Sequence, residues 1–220
     1  MSGTGRLIVV EGADGVGRTS VVHRLRTALA QDGHPVSSVR LRGSRGMRVP
    51  LRDLQRRADI SERALFLLYA ADLADIWHQE IAPSLASGGV VLCDRYTLTP
   101  VVRAEARGID ATWAAGVLAF LPPPDLTLVL EADARLRLLR MLERRRFLTP
   151  RESGLGATFR RDPQAMLIRY QHQLDALFHR RVDGQAIKAL DASADRDRVA
   201  AAALALVRQA LQGIGGGEGS

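Results

Sequence analysis

The sequence predicts an α/β fold in which a five-stranded parallel sheet carries helices on both faces. Five apolar runs, bounded by glycine, proline or charged residues, have the length and composition of buried parallel strands. Segments with apolar residues at helical spacing lie between these runs. Strands that alternate with helices need crossover connections, which make neighbouring strands parallel. With 220 residues and 46% hydrophobic content, the chain is long enough for a single domain with a substantial core.

The first elements of the chain are two strands with a helix between them. The run RLIVVEG (6–12) predicts a buried strand that a glycine stops, and VSSVRL (36–41) predicts the second strand. Between them, apolar residues at helical spacing predict a helix over about 18–31, which Gly33 ends. The loop GSRGMRVP then leads to a short helix near 51–57.

The middle of the chain contains one long predicted helix and the third strand. The helix runs over about 61–82 and is ended by Pro83, and VVLCD (90–94) is an apolar run with an acid at its carboxyl end. The remaining elements alternate in the same way. Their predicted bounds are about 97–106 and 111–120 for helices, 122–132 for a proline-bounded strand, 133–146 and 163–180 for helices, 186–192 for the fifth strand and 195–212 for the last helix. We expect one domain over 1–212 and a disordered Gly-rich tail over 213–220.

The net charge of +7 suggests an anionic partner, but the composition argues against several classes of protein. Lys188 is the only lysine among 31 basic residues, so the many arginines reflect a general bias, and 5% aromatic residues are too few for base stacking. No apolar run approaches the ~18 residues of a membrane span. Cys93 is the only cysteine, which fits the reducing cytoplasm. We therefore expect a small polyanion such as a nucleotide as the partner, with no nucleic acid and no membrane.

The stretch VVEGADGVGRTS (9–20) has the pattern of a phosphate-binding loop, G-x-x-x-x-G-K-[ST], with one residue changed. Glycines let several backbone N–H groups face one anion, and the N-terminus of the following helix adds positive charge. Arg18 stands where lysine is usual. The predicted ATP-binding residues are Gly12, Ala13, Asp14, Gly15, Val16, Gly17, Arg18, Thr19 and Ser20. A glycine-rich turn without a ligand is the alternative.

Arg18 keeps the positive charge of lysine but not its shape. A lysine contacts phosphates as a compact ammonium, whereas the planar guanidinium can hold phosphate oxygens through two hydrogen bonds. We predict that Arg18 is catalytic, and a pseudo-enzyme is the alternative. The hydroxyl of Thr19 would bind Mg²⁺. Asp94 ends a strand on the same edge of the sheet, where open α/β sheets bind their ligands.

Four segments in this order, EGADGVG, VVLCDRY, RGID and PPPDLTLVLEAD, resemble thymidylate kinases and related P-loop nucleoside-monophosphate kinases. The resemblance extends over about residues 6–210. It implies a three-layer P-loop NTPase fold with an Arg-rich lid, and ATP and Mg²⁺ as cofactors. It also implies a small-molecule phosphate acceptor, most simply a nucleoside monophosphate, and a homodimer that forms through the long helices.

The resemblance implies roles for individual residues at matching positions. Asp14 would hold a sugar hydroxyl of the acceptor, Asp94 would be the carboxylate beside Mg²⁺, and Arg95 would be catalytic and hold the donor and acceptor phosphates. Tyr69 falls where the family places an aromatic ring on the base. The alternatives are that Tyr69 is an ordinary core residue and that Asp94 and Arg95 form a structural ion pair.

The predicted lid (about 144–163) is rich in arginine. Family members without an arginine in the phosphate loop place their catalytic arginines in the lid, and here the loop carries Asp14, Gly15 and Val16. Gly154 and Gly156 supply hinge freedom. The candidate catalytic residues of the lid are Arg144, Arg145, Arg146, Arg151, Arg160 and Arg161. A solvated basic loop is the alternative.

Three changes on the acceptor side distinguish the chain from thymidylate kinases. Leu73 replaces the arginine that contacts the base in that family. The stretch TLTPVVRAEARG brings Thr99 and Arg103 toward the acceptor, and Arg42 lies near the expected acceptor phosphate. We therefore predict an altered acceptor, a modified pyrimidine nucleotide or another phosphorylated metabolite. The open alternatives are a divergent thymidylate kinase, a catalytically weak nucleotide-binding regulator and a kinase for a non-nucleotide acceptor.

Overall fold

The computed structural model describes residues 5–41, 44, 60–144 and 163–212. The strands are β1 (Arg6–Glu11), β2 (Val36–Arg40), β3 (Val90–Asp94), β4 (Leu126–Glu131) and β5 (Ile187–Asp191). The helices are α1 (Arg18–Gln31), α2 (Glu62–Ile76), α3 (Ala82–Ala86), α4 (Leu98–Glu105), α5 (Ala111–Val117), α6 (Ala134–Arg144), α7 (Pro163–His179) and α8 (Arg196–Gln212), with a π-helical turn over Trp77–Ile81. None of the helices in these ranges is long and apolar enough to cross a membrane.

The five strands form one parallel sheet in the order β2-β3-β1-β4-β5, which confirms the predicted fold class. In the register of the sheet, Val10 of β1 and Arg40 of β2 both lie opposite Asp94 of β3. The carboxyl ends of three neighbouring strands therefore meet at one edge. Open α/β sheets bind their ligands at this edge.

The sheet is covered on both faces because its central strands are apolar throughout. Leu7 and Val9 of β1 pack with residues of α2, α4 and α5 on one face, and Ile8 and Val10 pack with α1 and α8 on the other. Burial of each such aliphatic side chain contributes about 1.5–3 kcal/mol. Cys93 of β3, the only cysteine of the chain, is 1% exposed and packs on the face that α2, α4 and α5 cover.

The single helix predicted over 61–82 is divided in the structure. The turn over Trp77–Ile81 is π-helical, and α3 begins with Pro83 in its first turn. Proline has no N–H to donate, and its ring collides with the carbonyl group four residues earlier. A wider turn before Pro83 relieves that collision, as π-helical turns within α-helices do.

Several sequence predictions fall outside the described residues. They are the short helix near 51–57, most of the predicted lid and the tail over 213–220. The two helices that border the lid are described, since α6 ends at Arg144 and α7 begins at Pro163. Their bounds agree closely with the predicted helices over 133–146 and 163–180.

Candidate active site

The phosphate-binding loop lies between β1 and α1, as the sequence predicts. Gly12 and Gly15 have positive φ angles of 128° and 81°. A side chain at Gly12 would collide with the carbonyl oxygen of Leu130, and one at Gly15 with the carbonyl oxygen of Arg137. Glycine is therefore required at both positions by conformation and by space. Gly17, also left-handed, caps the N-terminus of α1.

Asp94, at the end of β3, lies against α1 and β2. Its Oδ1 accepts a hydrogen bond from Nε of Arg18 (3.0 Å), and its Oδ2 accepts one from the hydroxyl of Thr19 (2.8 Å). Nε of Arg40 also lies 3.0 Å from Oδ2. Burial raises the pKa of Asp94, but the charges of Arg18 and Arg40 outweigh that effect, so the net pKa is lowered. Asp94 is therefore a carboxylate at neutral pH.

Asp14, within the phosphate-binding loop, joins three arginines. Nη2 of Arg95 lies 2.5 Å from its Oδ1, and Nη2 of Arg103 lies 2.6 Å from its Oδ2. Nη2 of Arg18 lies 3.6 Å from Oδ1. Burial raises the pKa of Asp14, but the positive charges of Arg103, Arg95 and Arg18 lower it well below its usual range. Both oxygens of this carboxylate are thus held by charged donors.

Arg95 is placed by an unusual backbone conformation that Glu11 stabilises. Its φ of 78° makes it the only non-glycine residue with a positive φ among the described residues, at a cost of about 1–3 kcal/mol. The carboxylate of Glu11, at the end of β1, accepts hydrogen bonds from the backbone N–H groups of Tyr96 (2.8 Å) and Thr99 (3.2 Å) and from the Thr99 hydroxyl. These bonds fix the turn that follows β3 and compensate for the strain.

The Arg95 side chain is 9% exposed and points back to the phosphate-binding loop. Its Nη1 donates to Oγ1 of Thr99 (2.7 Å) and to the carbonyl oxygen of Gly12 (3.3 Å). Burial and the nearby charge of Arg18 lower the pKa of Arg95 to about 9. The guanidinium therefore stays protonated at neutral pH, as binding of a phosphate requires.

Two of the predicted acceptor residues lie beside the phosphate-binding loop, and two lie on α2. Thr99 and Arg103 lie beside Asp14 and Arg95. Tyr69 of α2 is half-buried, and Leu73, one turn later, is 1% exposed within the core that contains Phe66. Contact of Tyr69 and Leu73 with an acceptor stays a prediction.

Most of the predicted arginines of the acceptor side and the lid lie outside the described residues. Arg144 closes α6, and its side chain is not described. The residues that lie outside the described ranges are Arg42, Arg145, Arg146, Arg151, Arg160 and Arg161. Their roles also stay predictions.

Three functional candidates were missed by sequence reasoning. Glu11 and Arg40 are the last residues of β1 and β2, on the edge of the sheet where ligands bind. That position is a signal that could have found both of them. Arg137, in α6, gave no comparable signal, because an arginine in an amphipathic helix is usually on the solvent face.

Arg137 is 1% exposed and connects three parts of the site. Its Nη1 donates to the carbonyl oxygen of Asp14 (3.2 Å) and to Oε1 of Gln171 (2.6 Å). Its Nη2 donates to both carboxylate oxygens of Asp175 (2.7 and 2.6 Å). Because Gln171 and Asp175 belong to α7, this one side chain links α6, α7 and the phosphate-binding loop.

A cavity of about 60 Å³ lies beside the phosphate-binding loop. It is bordered by Gly17 of the loop, by Arg140 of α6, and by Ala192 and Arg196 near the start of α8. Gly15 and Val16 of the loop also line the cavity, whereas Asp14 and Arg95 do not.

The side chains at the sheet edge have the chemistry that a magnesium ion needs. The hydroxyl oxygen of Thr19 and Oδ2 of Asp94 lie 2.8 Å apart, and both are atoms that can bind a metal ion. Mg²⁺ binds to proteins through a few such oxygen ligands, together with water and substrate phosphates. The described residues contain no cluster of three or more histidine, cysteine, aspartate or glutamate side chains that could hold a metal alone. The two donors fit an ion that takes its other ligands from a nucleotide.

The comparisons with known proteins agree with this geometry. A family model described as thymidylate kinase matches residues 10–200. The chain belongs to the thymidylate kinase family. This membership makes the protein a nucleoside-monophosphate kinase, since the family phosphorylates nucleotide monophosphates with ATP. The prediction of the family from four short segments is confirmed.

Individual thymidylate kinases match over different lengths. The thymidylate kinase of Gluconobacter oxydans is 31% identical over 97% of this chain and 100% of its own length. That of Clavibacter michiganensis is 40% identical over 61% of this chain and 68% of its own length. A probable thymidylate kinase of Saccharolobus solfataricus is 25% identical over 79% of this chain and 81% of its own.

Proposed function

We propose that this thymidylate kinase family member transfers the γ-phosphoryl group of ATP to an acceptor other than dTMP, a modified pyrimidine nucleotide or another phosphorylated metabolite. The observation that carries the proposal is the shared carboxylate of Asp14, which Arg95 holds at one oxygen and Arg103 at the other. Membership of the family indicates the reaction, and the contacts of Asp14 with Arg95 and Arg103 indicate the kind of acceptor.

The phosphates of ATP lie over the phosphate-binding loop in this proposal. Backbone N–H groups of the loop and the N-terminus of α1 favour an anion there. The adenosine would extend into the cavity beside Gly17 and Ala192. Thr19 and Asp94 would hold Mg²⁺, which, when bound, neutralises charge on the phosphate oxygens.

The acceptor's phosphate would be held by Arg95, on the opposite side of the loop. A neutral sugar hydroxyl that sought Oδ2 of Asp14 would have to compete there with the guanidinium of Arg103. Hydrogen bonds from a charged donor are roughly twice as strong as those between neutral groups. Leu73 in turn has no hydrogen-bonding atom for a base carbonyl. Both changes disfavour dTMP.

The net positive charge of the side chains around Asp14 and Asp94 favours an acceptor that carries more negative charge than dTMP. Counted at neutral pH, the described side chains of the cluster carry one excess positive charge, because four arginines face three carboxylates. They are Arg18, Arg40, Arg95 and Arg103 against Glu11, Asp14 and Asp94. Without Arg103 the count is neutral. Arg103 therefore supplies the excess that a modified pyrimidine nucleotide or another anionic metabolite would use.

The chemistry needs positioning and positive charge more than proton transfer. The transition state of phosphoryl transfer spreads negative charge over the transferred oxygens, and arginines stabilise it. The attacking phosphate is already an anion, so it needs no strong general base. Arg95 and the arginines of the predicted lid would supply this charge once the lid closes.

A panel of nucleoside monophosphates and other small phosphorylated acceptors tests the proposal in a coupled ADP-release assay. We expect another acceptor to exceed dTMP in kcat/KM, and Arg103→Leu to lower that preference. Arg26→Leu, at an exposed position of α1, is the control. The proposal is wrong if dTMP exceeds every other acceptor and reaches the ~10⁴ M⁻¹s⁻¹ or more that is usual for a physiological substrate.

We also propose a cytoplasmic homodimer. Leu67 of α2 and Trp113 of α5 are 47% and 37% exposed, and apolar side chains of this size support a contact between subunits. The single cysteine suits a reducing compartment. Light scattering after size exclusion, with Leu67→Glu as the disrupting variant, tests the dimer.

A further inference from the structure

The side chain of Arg18 points into the protein and is surrounded by hydrogen-bond acceptors. Its Nη1 donates to the carbonyl oxygen of Gly12 (2.5 Å) and to that of Ala13. Its Nε donates to Asp94 (3.0 Å), and its Nη2 lies 3.6 Å from Asp14. Only 7% of the residue is exposed. All three guanidinium nitrogens thus face acceptors that belong to the protein.

An arginine is needed for this arrangement. The guanidinium presents five N–H groups in a fixed plane, so it can contact two backbone carbonyls and two carboxylates that lie in different directions. A lysine ammonium carries its donors on one atom and cannot span these positions. The replacement of lysine by arginine therefore changes what the residue contacts as well as its shape.

The two carbonyl contacts fix the direction of the loop's peptide groups. In a trans peptide the C=O and the N–H point in opposite directions. With the oxygens of Gly12 and Ala13 bound to Arg18, the N–H groups of Ala13 and Asp14 are directed away from the guanidinium. A loop that binds an anion needs its N–H groups oriented together in this way.

If Arg18 turned to a phosphate, several buried groups would lose their partner. The carbonyl oxygen of Ala13 and Oδ1 of Asp94 would lose the donor that they have now, and the carbonyl oxygen of Gly12 would keep only the longer hydrogen bond from Arg95 (3.3 Å). Buried polar groups that lose a partner carry the full cost of desolvation. The present contacts are therefore favoured over direct contact with the γ-phosphate.

We propose that Arg18 is a positioning residue, which shapes the phosphate-binding loop and holds Asp94, and that it does not contact the transferred phosphoryl group. The inference rests on the proposed ATP site. It assigns the positive charge at the γ-phosphate to residues outside the loop. It also differs from the expectation, drawn from the sequence, that Arg18 replaces the phosphate-contacting lysine directly.

Calorimetric titration of ADP and ATP into the wild type and into Arg18→Gln tests this inference, because only ATP has a γ-phosphate. If Arg18 shapes the loop, Arg18→Gln binds ADP and ATP more weakly than the wild type by a similar factor of at least about ten. This is the effect of losing one or two charge-assisted hydrogen bonds. If Arg18 contacts the γ-phosphate, ATP binding weakens by tenfold or more relative to ADP binding, and the inference is overturned.

Arg18→Lys, which keeps the charge, is the second variant and carries the test if Arg18→Gln does not fold. We expect it to bind both nucleotides more weakly than the wild type, and affinity or turnover equal to or above the wild type would overturn the inference. Arg26→Gln, on an exposed face of α1, is the matched control and should bind as the wild type does. A wild-type protein that binds neither nucleotide would instead contradict the proposed function.

Discussion

At the scale of single residues, Arg95 combines a strained backbone with a buried, charged side chain. We expect Arg95→Ala to lower kcat/KM by about 10²-fold or more, as removal of a preorganised charged donor does. Arg95→Lys should not restore the activity, because an ammonium cannot bond Thr99, Gly12 and Asp14 together. The measurement is steady-state kinetics with the best acceptor of the panel. Full activity of the lysine variant would show that charge alone suffices.

Asp14 makes the stability of the fold depend on pH in a definite range. Its pKa in the folded protein lies below the 3.8 of a free aspartate, so it stabilises the fold fully above that value. The contribution is lost as the pH falls through 3.8 toward the folded-state pKa. We therefore expect the free energy of unfolding to differ between the wild type and Asp14→Asn by a constant amount from pH 7 to about 5. Below 3.8 the difference should shrink.

Denaturant unfolding at a series of pH values, without nucleotide, measures this difference. The control is Asp110→Asn at the exposed N-terminus of α5. A difference that already shrank between pH 7 and 6 would contradict the low pKa of Asp14.

At the scale of elements, Arg137 joins α6 to α7 through an ion pair in which Arg137 is buried and Asp175 is 34% exposed. Because Asp175 stays partly solvated when Arg137 is removed, the loss should be smaller than for a fully buried pair, about 1–3 kcal/mol. We expect this loss for Arg137→Met in denaturant unfolding. The double variant with Asp175→Leu should recover part of it, because apolar side chains of similar volume replace buried pairs well. Equal losses in both variants would show that the pair itself is unimportant.

The segment between α6 and α7 gives a second prediction at this scale. We expect replacement of residues 147–160 by a short Gly-Ser linker to reduce kcat far more than it raises the KM of the acceptor. Lid contacts form mainly on closure and so act on the chemical step. A linker of equal composition inserted in the tail is the control, and unchanged kinetics in the lid variant would refute a catalytic lid.

The elements themselves were largely predictable, and their contacts were not. The five strands and the bounds of α1 and β3 follow from apolar runs and glycines, because these patterns are local. The π-helical turn before Pro83 was not predicted, since proline usually ends a helix. In the site, the sequence indicated Asp14, Asp94 and Arg95. It did not indicate that Arg18 turns inward, because that direction depends on Asp94 of β3 and on the orientation of the carbonyl groups of Gly12 and Ala13 in the folded loop.

At the scale of the whole molecule, the site depends on a sheet whose edge gathers residues from distant parts of the chain. Residues 11, 14, 18, 40, 94, 95 and 103 meet there, although up to 89 residues separate two that share a hydrogen bond. The sheet order was predictable only as a class, because alternating strands and helices allow several orders.

The lone thiol of Cys93 lies in the middle of this sheet, beside the end of β3 that carries Asp94. Burial and the charge of Glu11 raise its pKa, so the native thiol should be inert to alkylating and disulfide reagents. Labelling can then occur only in molecules whose central strands have opened, and its rate reports the free energy of that opening. Saturation with ATP to about 100 times its Kd should slow the labelling about 100-fold. Rapid labelling at the rate of a free thiol would contradict this. If ATP protects Cys93 from labelling as expected, the labelling rate of this one native cysteine reports both ligand binding and opening of the sheet, with no engineered probe.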